Sequence, residues 1–586
     1  MGSNHSERGY QGELRPIVNP YSMNDVSRTL SQPQYSMTLN KDVPIKMRDG
    51  AIVYADVYRP QEEGAFPALV NISVYQKDKV WIPPPDLEEE GNPYMSWETA
   101  NPLWWVPRGY ACVRVDSRGS GKSPGHCDPG GWQETLDYYD AIEWTGRQPW
   151  CSGKVAGMGI SYHACAQWRV AGLKPPSLKA IIPWEGWGDG YRDAAYHGGI
   201  FAMGFIAHWH AVHMANHLLG RPQSYNPDAF HTDRVWQYMR HSLNTGWWSN
   251  RSAHWGNIEC PLYAVGNWAG VGLHLRGATE GYTRAASTNK KLRIHSGTHY
   301  HPFYSEDGRL DQLRFLDHWL KGLDTGIVNE PPVKLQIRTG GEGNKYEWRF
   351  ENEWPIARTQ WTRYYLHVGS PQHHAQHDMT GSLSTKPAAA ARTEYAATAM
   401  GRSGAAAGSA SAPSHTAGNR HSAGVSFVTE PMKEDTEVTG PIALNVWVSS
   451  TTEDMDIFAT IRNIGPDGQD IFELGPHGQP VPVTKGWLRA SHRKLDETLS
   501  LPYRPYHTHD ERWPLTPGEL VECRVEIWPT SMVFRKGHRI RLDIQPFDGI
   551  GSSYTHYHAE YNGGTNAIYV GRDTPSYLLL PLVPRR

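Results

Sequence analysis

The chain has 586 residues, too many for one hydrophobic core, and its length predicts roughly two to four domains. Its formal net charge of −3 gives no electrostatic reason to expect nucleic acid or an anionic membrane as a partner. The first thirty residues are polar, and no apolar run of about 18 residues occurs, so we predict a cytoplasmic protein. Six cysteines without paired metal-ligand spacing indicate mostly free thiols.

The first part of the chain alternates predicted strands with predicted helices. Residues 1–35 form a polar arm, and an Asp-Gly turn between apolar alternations then predicts a β-hairpin over 42–58. Two further strands, at 67–75 and 110–116, precede a helix over 134–146. This order is typical of a doubly wound parallel sheet, which indicates an α/β fold.

The pattern changes twice in the rest of the chain. Residues 185–257 are rich in Trp, His and Met with helical spacing, and they lie where a cap over an active site is expected. The sheet pattern then resumes, with strands at 262–266 and 292–295 and a helix over 312–322. From residue 326 to 586, strands of period two separated by Pro and Gly predict an all-β sandwich of jelly-roll type. Its predicted strands are 333–338, 442–448, 457–461 and 540–544, with a low-complexity excursion at 387–424.

Residues 154–168, KVAGMGISYHACAQW, predict a buried strand that turns sharply into a helix with Ser161 at the turn. A serine hydroxyl is a weak nucleophile, and such an elbow exposes its oxygen to a base and to backbone amides. The common form of this motif is Gly-x-Ser-x-Gly, whereas here the fifth position is His163 and the small residue is Ala164. We predict that Ser161 is a nucleophile and that the Tyr162 amide is one oxyanion donor.

A serine nucleophile needs a base, which in this fold lies in a loop after the last strands. His299 is the best placed histidine, because His295 falls within the predicted strand and His301 is two residues further out. The second oxyanion donor is expected from the loop after the third strand, where Tyr75 stands. A core tyrosine at a strand end is the alternative interpretation of Tyr75.

Several segments together resemble the cocaine-esterase-like (CocE/NonD) serine hydrolases, which are related to Xaa-Pro dipeptidyl aminopeptidases and α-amino-acid ester hydrolases. They are PIKMRDG (44–50), YQKDK (75–79), DSRGSGKS (116–123), YDAIEW (139–144), QPW (148–150), GISY (159–162) and GWLRASHR (486–493). The resemblance implies an α/β-hydrolase core (36–184 and 258–325), a helical cap (185–257) and a C-terminal jelly roll. It also implies Ser161 as nucleophile, His299 as base, Tyr75 as oxyanion donor, and hydrolysis of esters or amides without a cofactor or metal.

The chain departs from this family at the acid that orients the histidine. The family carries a carboxylate in the loop after the strand at 262–266, where this chain has Ala269. We favour migration of the acid to Glu185, since a carboxylate at the end of the neighbouring strand can reach the same histidine nitrogen. Asp189 is a reserve candidate, and Asp193 lies further into the cap. The alternatives are a serine–histidine dyad and a lost or altered activity.

Two further features suggest other interpretations. His208, His210, His213 and His217 crowd the cap, but helical ligands over this span converge poorly, so packing or a polar pocket lining is favoured over a metal site. Tryptophans favour an aromatic or bulky apolar substrate group; they are Trp97, Trp104, Trp105, Trp184, Trp187, Trp209, Trp247, Trp248 and Trp268. The predicted partner is a small ester or amide, and a homo-oligomer is left open. The alternative functions are an aminopeptidase or acyltransferase of the same family and a non-catalytic binding protein on a decayed hydrolase scaffold.

Overall fold

The computed structural model describes residues 30–87, 91–215, 229–339, 345–374, 377–397, 424–548, 558–559, 561 and 563–584. Residues 1–29 of the predicted arm lie outside the described residues. The end of the arm lies on the first domain, where Leu30 is buried and Ser31 donates hydrogen bonds of 2.7 Å to the Asp317 carboxylate from both its amide and its hydroxyl.

A ten-stranded sheet organises the first domain. The strands up to residue 351 are β1 Met37–Lys46, β2 Ile52–Pro60, β3 Phe66–Ser73, β4 Ala111–Asp116, β5 Gly125–Cys127, β6 Cys151–Ile160, β7 Leu178–Trp184, β8 Tyr196–His197, β9 Ile200–Phe201, β10 Ala229–His231, β11 Leu262–Asn267, β12 Lys290–His295, β13 Val333–Arg338 and β14 Tyr346–Glu351. The order in the sheet is β1-β2-β4-β3-β6-β7-β11-β12-β13-β14, and every pairing from β4 to β13 is parallel.

Helices cover the sheet, and the parallel strands are accordingly buried along almost their whole length. The helices are α1 Pro102–Trp105, α2 Trp132–Gly146, α3 Tyr162–Ala171, α4 Met203–Trp209, α5 Arg234–Arg240, α6 Gly246–Ser249, α7 Leu275–Arg284, α8 His301–Tyr304 and α9 Glu306–Leu316. Turns of π-helix occur at Gly190–Ala195, His210–Ala215 and Asp317–Lys321. Helices α4, α5 and α6 lie within the segment predicted as the cap. The hairpin predicted over 42–58 is confirmed as β1 and β2.

The second domain is rich in strands. Its strands are β15 Gln360–His374, β16 His377–Ser384, β17 Ala391–Ala396, β18 Val425–Thr429, β19 Thr436–Ser450, β20 Asp456–Ile464, β21 Asp470–Ile471, β22 Glu473–Leu474, β23 Pro480–Val481, β24 Thr484–Arg489, β25 Val521–Phe534, β26 Arg539–Gln545, β27 Thr565–Val570 and β28 Tyr577–Leu582. Most belong to one sheet that closes on itself like a barrel, because β28 pairs with both β15 and β19.

Two predicted assignments in this region are wrong. The strand predicted at 333–338 belongs to the first sheet, where β13 pairs in parallel with β12 and buries Leu335 and Ile337. Its period-two pattern does not reveal which of the two sheets it joins. The excursion predicted at 387–424 begins with a regular strand, since β17 pairs with β27. Residues 398–423 of that excursion lie outside the described residues.

Candidate active site

Ser161 occupies a strained turn between β6 and α3, which confirms the predicted break from strand to helix. Its backbone angles are φ 56° and ψ −113°, outside the regions that a residue with a side chain normally adopts. The Ser161 amide donates to the Trp184 carbonyl at 2.9 Å, and its carbonyl accepts from the Cys165 amide at 2.9 Å. Gly159 has φ 142°, and a Cβ there would lie 2.6 Å from Cβ of His163. The turn is therefore fixed from both sides.

The hydroxyl of Ser161 lies beside a histidine that sequence reasoning did not single out. Ser161 Oγ is 3.2 Å from Nε2 of His274, the residue that precedes α7. The His274 ring stacks on the ring of His299, with 5.3 Å between centroids and 6° between planes. The available signal was its position, because His274 follows Ala269 closely in the loop that carries the acid in related hydrolases. One imidazole, that of His274, therefore lies next to the serine hydroxyl, and the His299 imidazole lies parallel to the His274 ring.

Glu185 lies against His299, at the end of β7. Its Oε2 is 2.8 Å from His299 Nδ1, and its amide donates to the Val265 carbonyl at 2.8 Å. Its Oε1 accepts from Asn267 Nδ2 at 3.4 Å and lies 3.3 Å from His295 Nε2. The ends of β7, β11 and β12 are neighbours in the sheet, which brings these side chains together. Glu185 thus places a buried carboxylate on Nδ1 of His299, a contact that the migration hypothesis requires.

A second buried carboxylate, Glu98, lies on the other nitrogen of His299. Glu98 Oε1 is 3.2 Å from His299 Nε2, and the Glu98 carbonyl accepts from the Ile160 amide at 3.0 Å. Its Oε2 is also buried. Glu98 precedes α1 in a loop without a recognisable motif, so no sequence signal pointed to it.

Charge on these groups is set by burial and by their mutual attraction. Burial alone lowers the pKa of His299, but Glu185 and Glu98 outweigh it and raise that pKa to about 10. Burial raises the pKa of both carboxyl groups, and His299 opposes that increase. Burial and the adjacent His299 hold the pKa of His274 well below its usual value. These shifts favour the charged form of His299 and the neutral form of His274.

Tyr75 and Tyr162, the predicted oxyanion donors, pack against each other beside the elbow. Their ring centroids are 5.5 Å apart, and both rings are buried. The Tyr162 amide is the first of α3, and the Tyr162 hydroxyl donates to Glu134 Oε1 at 2.6 Å. The Tyr75 hydroxyl accepts a hydrogen bond of 3.1 Å from Trp209 Nε1. The structure therefore brings both predicted residues to the start of the helix that follows Ser161.

The loop that carries Tyr75 is anchored by Lys77. The Lys77 amide donates to Asp116 Oδ1 at 2.7 Å. Its ammonium group lies 2.5, 3.0 and 3.1 Å from the carboxylates of Asp42, Asp56 and Asp78. These three aspartates have the spacing of a metal site, but Lys77 already supplies the cation among them.

Several other candidates lie away from the Ser161 hydroxyl. Asp189 pairs with Arg192 at 2.8 Å and Asp193 with Arg276 at 2.9 Å, so both act in ion pairs. His301 begins α8. In the segment predicted as the cap, His210 begins a turn of π-helix, which changes the helical spacing expected for the histidines. The side chain of His213 and all of His217 lie outside the described residues.

The predicted tryptophans divide between core and site. Trp105, Trp184, Trp248 and Trp268 are fully buried core residues. Trp97 and Trp209 contact the Tyr75 ring, with centroids 6.1 and 6.2 Å away. An aromatic wall therefore lies beside the elbow.

The second domain also reaches this site. The His299 amide donates to the Pro476 carbonyl at 2.9 Å, between β22 and β23. The next residue, His477, has its ring centroid 6.5 Å from that of His299.

Among the described residues, no helix is long and apolar enough to cross a membrane.

Comparison with known proteins agrees with this geometry. Residues 49–301 match the X-Pro dipeptidyl-peptidase (S15 family) model, and residues 325–579 match the X-Pro dipeptidyl-peptidase C-terminal non-catalytic domain. A solved CocE/NonD family hydrolase from Staphylococcus aureus is 30% identical, with a TM-score of 0.81 and 94% of each chain covered. The chain belongs to the CocE/NonD family of hydrolases.

This CocE/NonD hydrolase is also similar to two other proteins, one in sequence and one in fold. The cocaine esterase of Rhodococcus is 24% identical over 94% of this chain and 99% of its own length. A solved α-amino acid ester hydrolase has a TM-score of 0.64 at 16% identity, covering 97% of this chain and 99% of its own, and shares the fold.

Proposed function

We propose that this protein is a serine hydrolase that cleaves a carboxylic ester or an amide through a covalent acyl-enzyme on Ser161. The observation that carries the proposal is the strained turn at Ser161. The Ser161 hydroxyl contacts the imidazole of His274, and the imidazole of His299, which is paired with Glu185, stacks on that of His274. A half-buried serine hydroxyl fixed next to an imidazole and a helix N-terminus is an arrangement suited to acyl transfer.

We propose His299 as the general base, because a base must be stabilised once it has taken the proton of Ser161. Glu185 on Nδ1 supplies that stabilisation and fixes the orientation of the ring. In the resting geometry His274 holds the Ser161 hydroxyl, and Glu98 engages Nε2 of His299. For reaction, His299 first loses its Nε2 proton to solvent; Nε2 then leaves Glu98, and the hydroxyl turns from His274 to the unprotonated Nε2.

The chemical steps then follow from the remaining groups. Ser161 Oγ attacks the substrate carbonyl as its proton passes to His299, and the Tyr162 amide and Tyr75 hydroxyl stabilise the oxyanion. The tetrahedral intermediate collapses, His299 protonates the departing alcohol or amine, and an acyl-enzyme remains. Water activated by His299 attacks the acyl carbon, and release of the carboxylic acid restores Ser161.

The aromatic residues beside the elbow favour a substrate with an aromatic or bulky apolar group. Trp97, Tyr75, Tyr162 and Trp209 provide apolar surface beside the elbow. Such surfaces bind flat apolar groups by burying area and by edge or face contacts. As part of the same proposal, residues 185–257 are the cap over this pocket, and the strand-rich second domain has jelly-roll topology.

Labelling by a fluorophosphonate probe tests the function. We expect the wild-type protein to be labelled on Ser161 and to hydrolyse aryl esters, and the Ser161→Ala variant to do neither. A conserved thermal unfolding midpoint in the variant controls for misfolding. Labelling that persists in Ser161→Ala, or a wild type that is neither labelled nor active, would overturn the proposal. A requirement for a free amine on the substrate would instead indicate an aminopeptidase or acyltransferase.

A further inference from the structure

Trp209, the last residue of α4 in the predicted cap, contacts both residues proposed as oxyanion donors. Its Nε1 donates to the Tyr75 hydroxyl at 3.1 Å. Its ring stacks on the ring of Tyr162, with 5.8 Å between centroids and 5° between planes. Trp209 is 6% exposed and lies in one apolar cluster with Tyr75, Tyr162, Val74 and Cys127. One side chain of the predicted cap therefore touches the Tyr75 hydroxyl, a proposed donor, and the ring of Tyr162, whose backbone amide is the other proposed donor.

The direction of the Trp209 hydrogen bond matters for Tyr75. An indole N–H is only a donor, so the Tyr75 oxygen must be the acceptor in this contact. Accepting that bond occupies one lone pair and fixes the hydroxyl oxygen in place, and the bond does not use the Tyr75 proton. A hydroxyl that accepts one hydrogen bond is also a stronger donor in the next. This is the state that an oxyanion donor needs before negative charge develops on the substrate.

The position of Trp209 is itself fixed from the cap side. The Arg234 guanidinium of α5 lies 4.4 Å from the centre of the Trp209 ring, and Arg234 Nε donates to the Tyr238 hydroxyl at 2.6 Å. A buried cation over an indole face is a favourable contact that restricts the ring. The indole is thus held between Arg234 on the cap and Tyr162 on the core.

We infer that Trp209 is a positioning residue for the oxyanion hole, which makes the hole a joint product of the cap and the core. It acts through Tyr75, not by touching the reacting atoms, and the inference rests on the proposed function of Ser161. Its consequence is that the full rate of acylation requires the cap to be in place.

A double-mutant cycle with Tyr75 tests this role. Trp209→Phe keeps an aromatic ring but removes Nε1–H, and we expect kcat to fall about tenfold while KM changes less than twofold. Tyr75→Phe should lower kcat about a hundredfold, as loss of one oxyanion donor does. In the Tyr75→Phe background, Trp209→Phe should change kcat less than twofold, because the bond it removes is already absent.

A matched control separates this bond from general loss of a buried donor in the cap. The Tyr191 hydroxyl donates to the Ser242 carbonyl at 2.8 Å, and Tyr191 is fully buried. Tyr191→Phe should leave kcat within twofold. If Trp209→Phe does not fold, replacing Trp209 by 3-benzothienylalanine keeps the ring shape and exchanges N–H for sulfur.

The possible results test the role of Trp209 and the proposed function separately. Equal kcat losses for Trp209→Phe in the wild-type and Tyr75→Phe backgrounds would overturn the inference, and so would an effect on KM alone. The proposed function is judged separately, because fluorophosphonate labelling of Ser161 does not depend on the size of the Trp209 effect. Labelling with additive kinetics would reject only the role of Trp209, whereas absent labelling would reject both.

Discussion

Glu98 Oε1 lies 3.2 Å from Nε2 of His299, the nitrogen that the proposed mechanism requires to accept the proton of Ser161. A carboxylate at this position favours the protonated imidazole, and Glu185 on Nδ1 adds to the effect. The pKa of His299 is raised to about 10 by these two neighbours against the effect of burial. These neighbours favour the charged form of His299, so the proposed mechanism requires deprotonation of His299 before attack.

The first prediction is that Glu98→Gln shifts the pH dependence of kcat/KM. Removing one carboxylate lowers the pKa of His299. In a larger fraction of the molecules, His299 is therefore neutral at any pH below its wild-type pKa. The rising limb of the profile should therefore move to lower pH, and activity at neutral pH should increase relative to the plateau. Glu259→Gln, at an exposed ion pair with Lys174, serves as the control with an unchanged profile. An unshifted limb in Glu98→Gln would contradict the role assigned to Glu98.

The second prediction separates the two stacked histidines. His299→Ala removes the ring that Glu185 stabilises, and we expect kcat to fall by at least about 10³-fold. His274→Ala removes the resting partner of the Ser161 hydroxyl but leaves the Glu185–His299 pair, so we expect a loss of about tenfold or less. Steady-state kinetics of both variants on one aryl ester measures this. The reverse ranking would identify His274 as the base.

The third prediction concerns the acid. Glu185→Gln keeps the shape of the side chain but removes the charge that stabilises the His299 imidazolium. We expect kcat to fall between tenfold and about 10⁴-fold, the range in which a neutral amide replaces a triad carboxylate. Single-turnover measurement of acylation gives the value, with Glu259→Gln as the matched surface control. Retention of more than about a tenth of wild-type turnover would remove Glu185 from the mechanism.

The positions of Ser161, Glu185 and His299 can be predicted from the sequence because parallel strands end at one edge of the sheet. Ser161 and Glu185 directly follow strands predicted from apolar runs, and His299 follows the strand that contains His295, so adjacency in the sheet brings the three together. His274 and Glu98 lie in loops whose path depends on packing against distant residues, and no periodicity marks them.

The sequence pattern also fails to show which sheet the strand at 333–338 joins. Alternating apolar residues predict a strand but not its partner, and β13 extends the first sheet instead of entering the second. The Ser161 elbow, in contrast, combines a buried strand, small residues and a helical pattern within fifteen residues. Local signals that agree with one another are the ones that sequence analysis locates well.

The last prediction addresses the stability of the loop that carries Tyr75. The Lys77 ammonium lies between Asp42, Asp56 and Asp78, and the Asp56 side chain is 1% exposed. Lys77→Met leaves the buried Asp56 carboxylate without its cation, and breaking a buried pair in this way costs about 3–5 kcal/mol of unfolding free energy. Lys174→Met removes the exposed pair with Glu259 and should cost less than about 1 kcal/mol. Urea unfolding followed by tryptophan fluorescence compares the two variants, and equal midpoints would show that the three aspartates do not depend on Lys77.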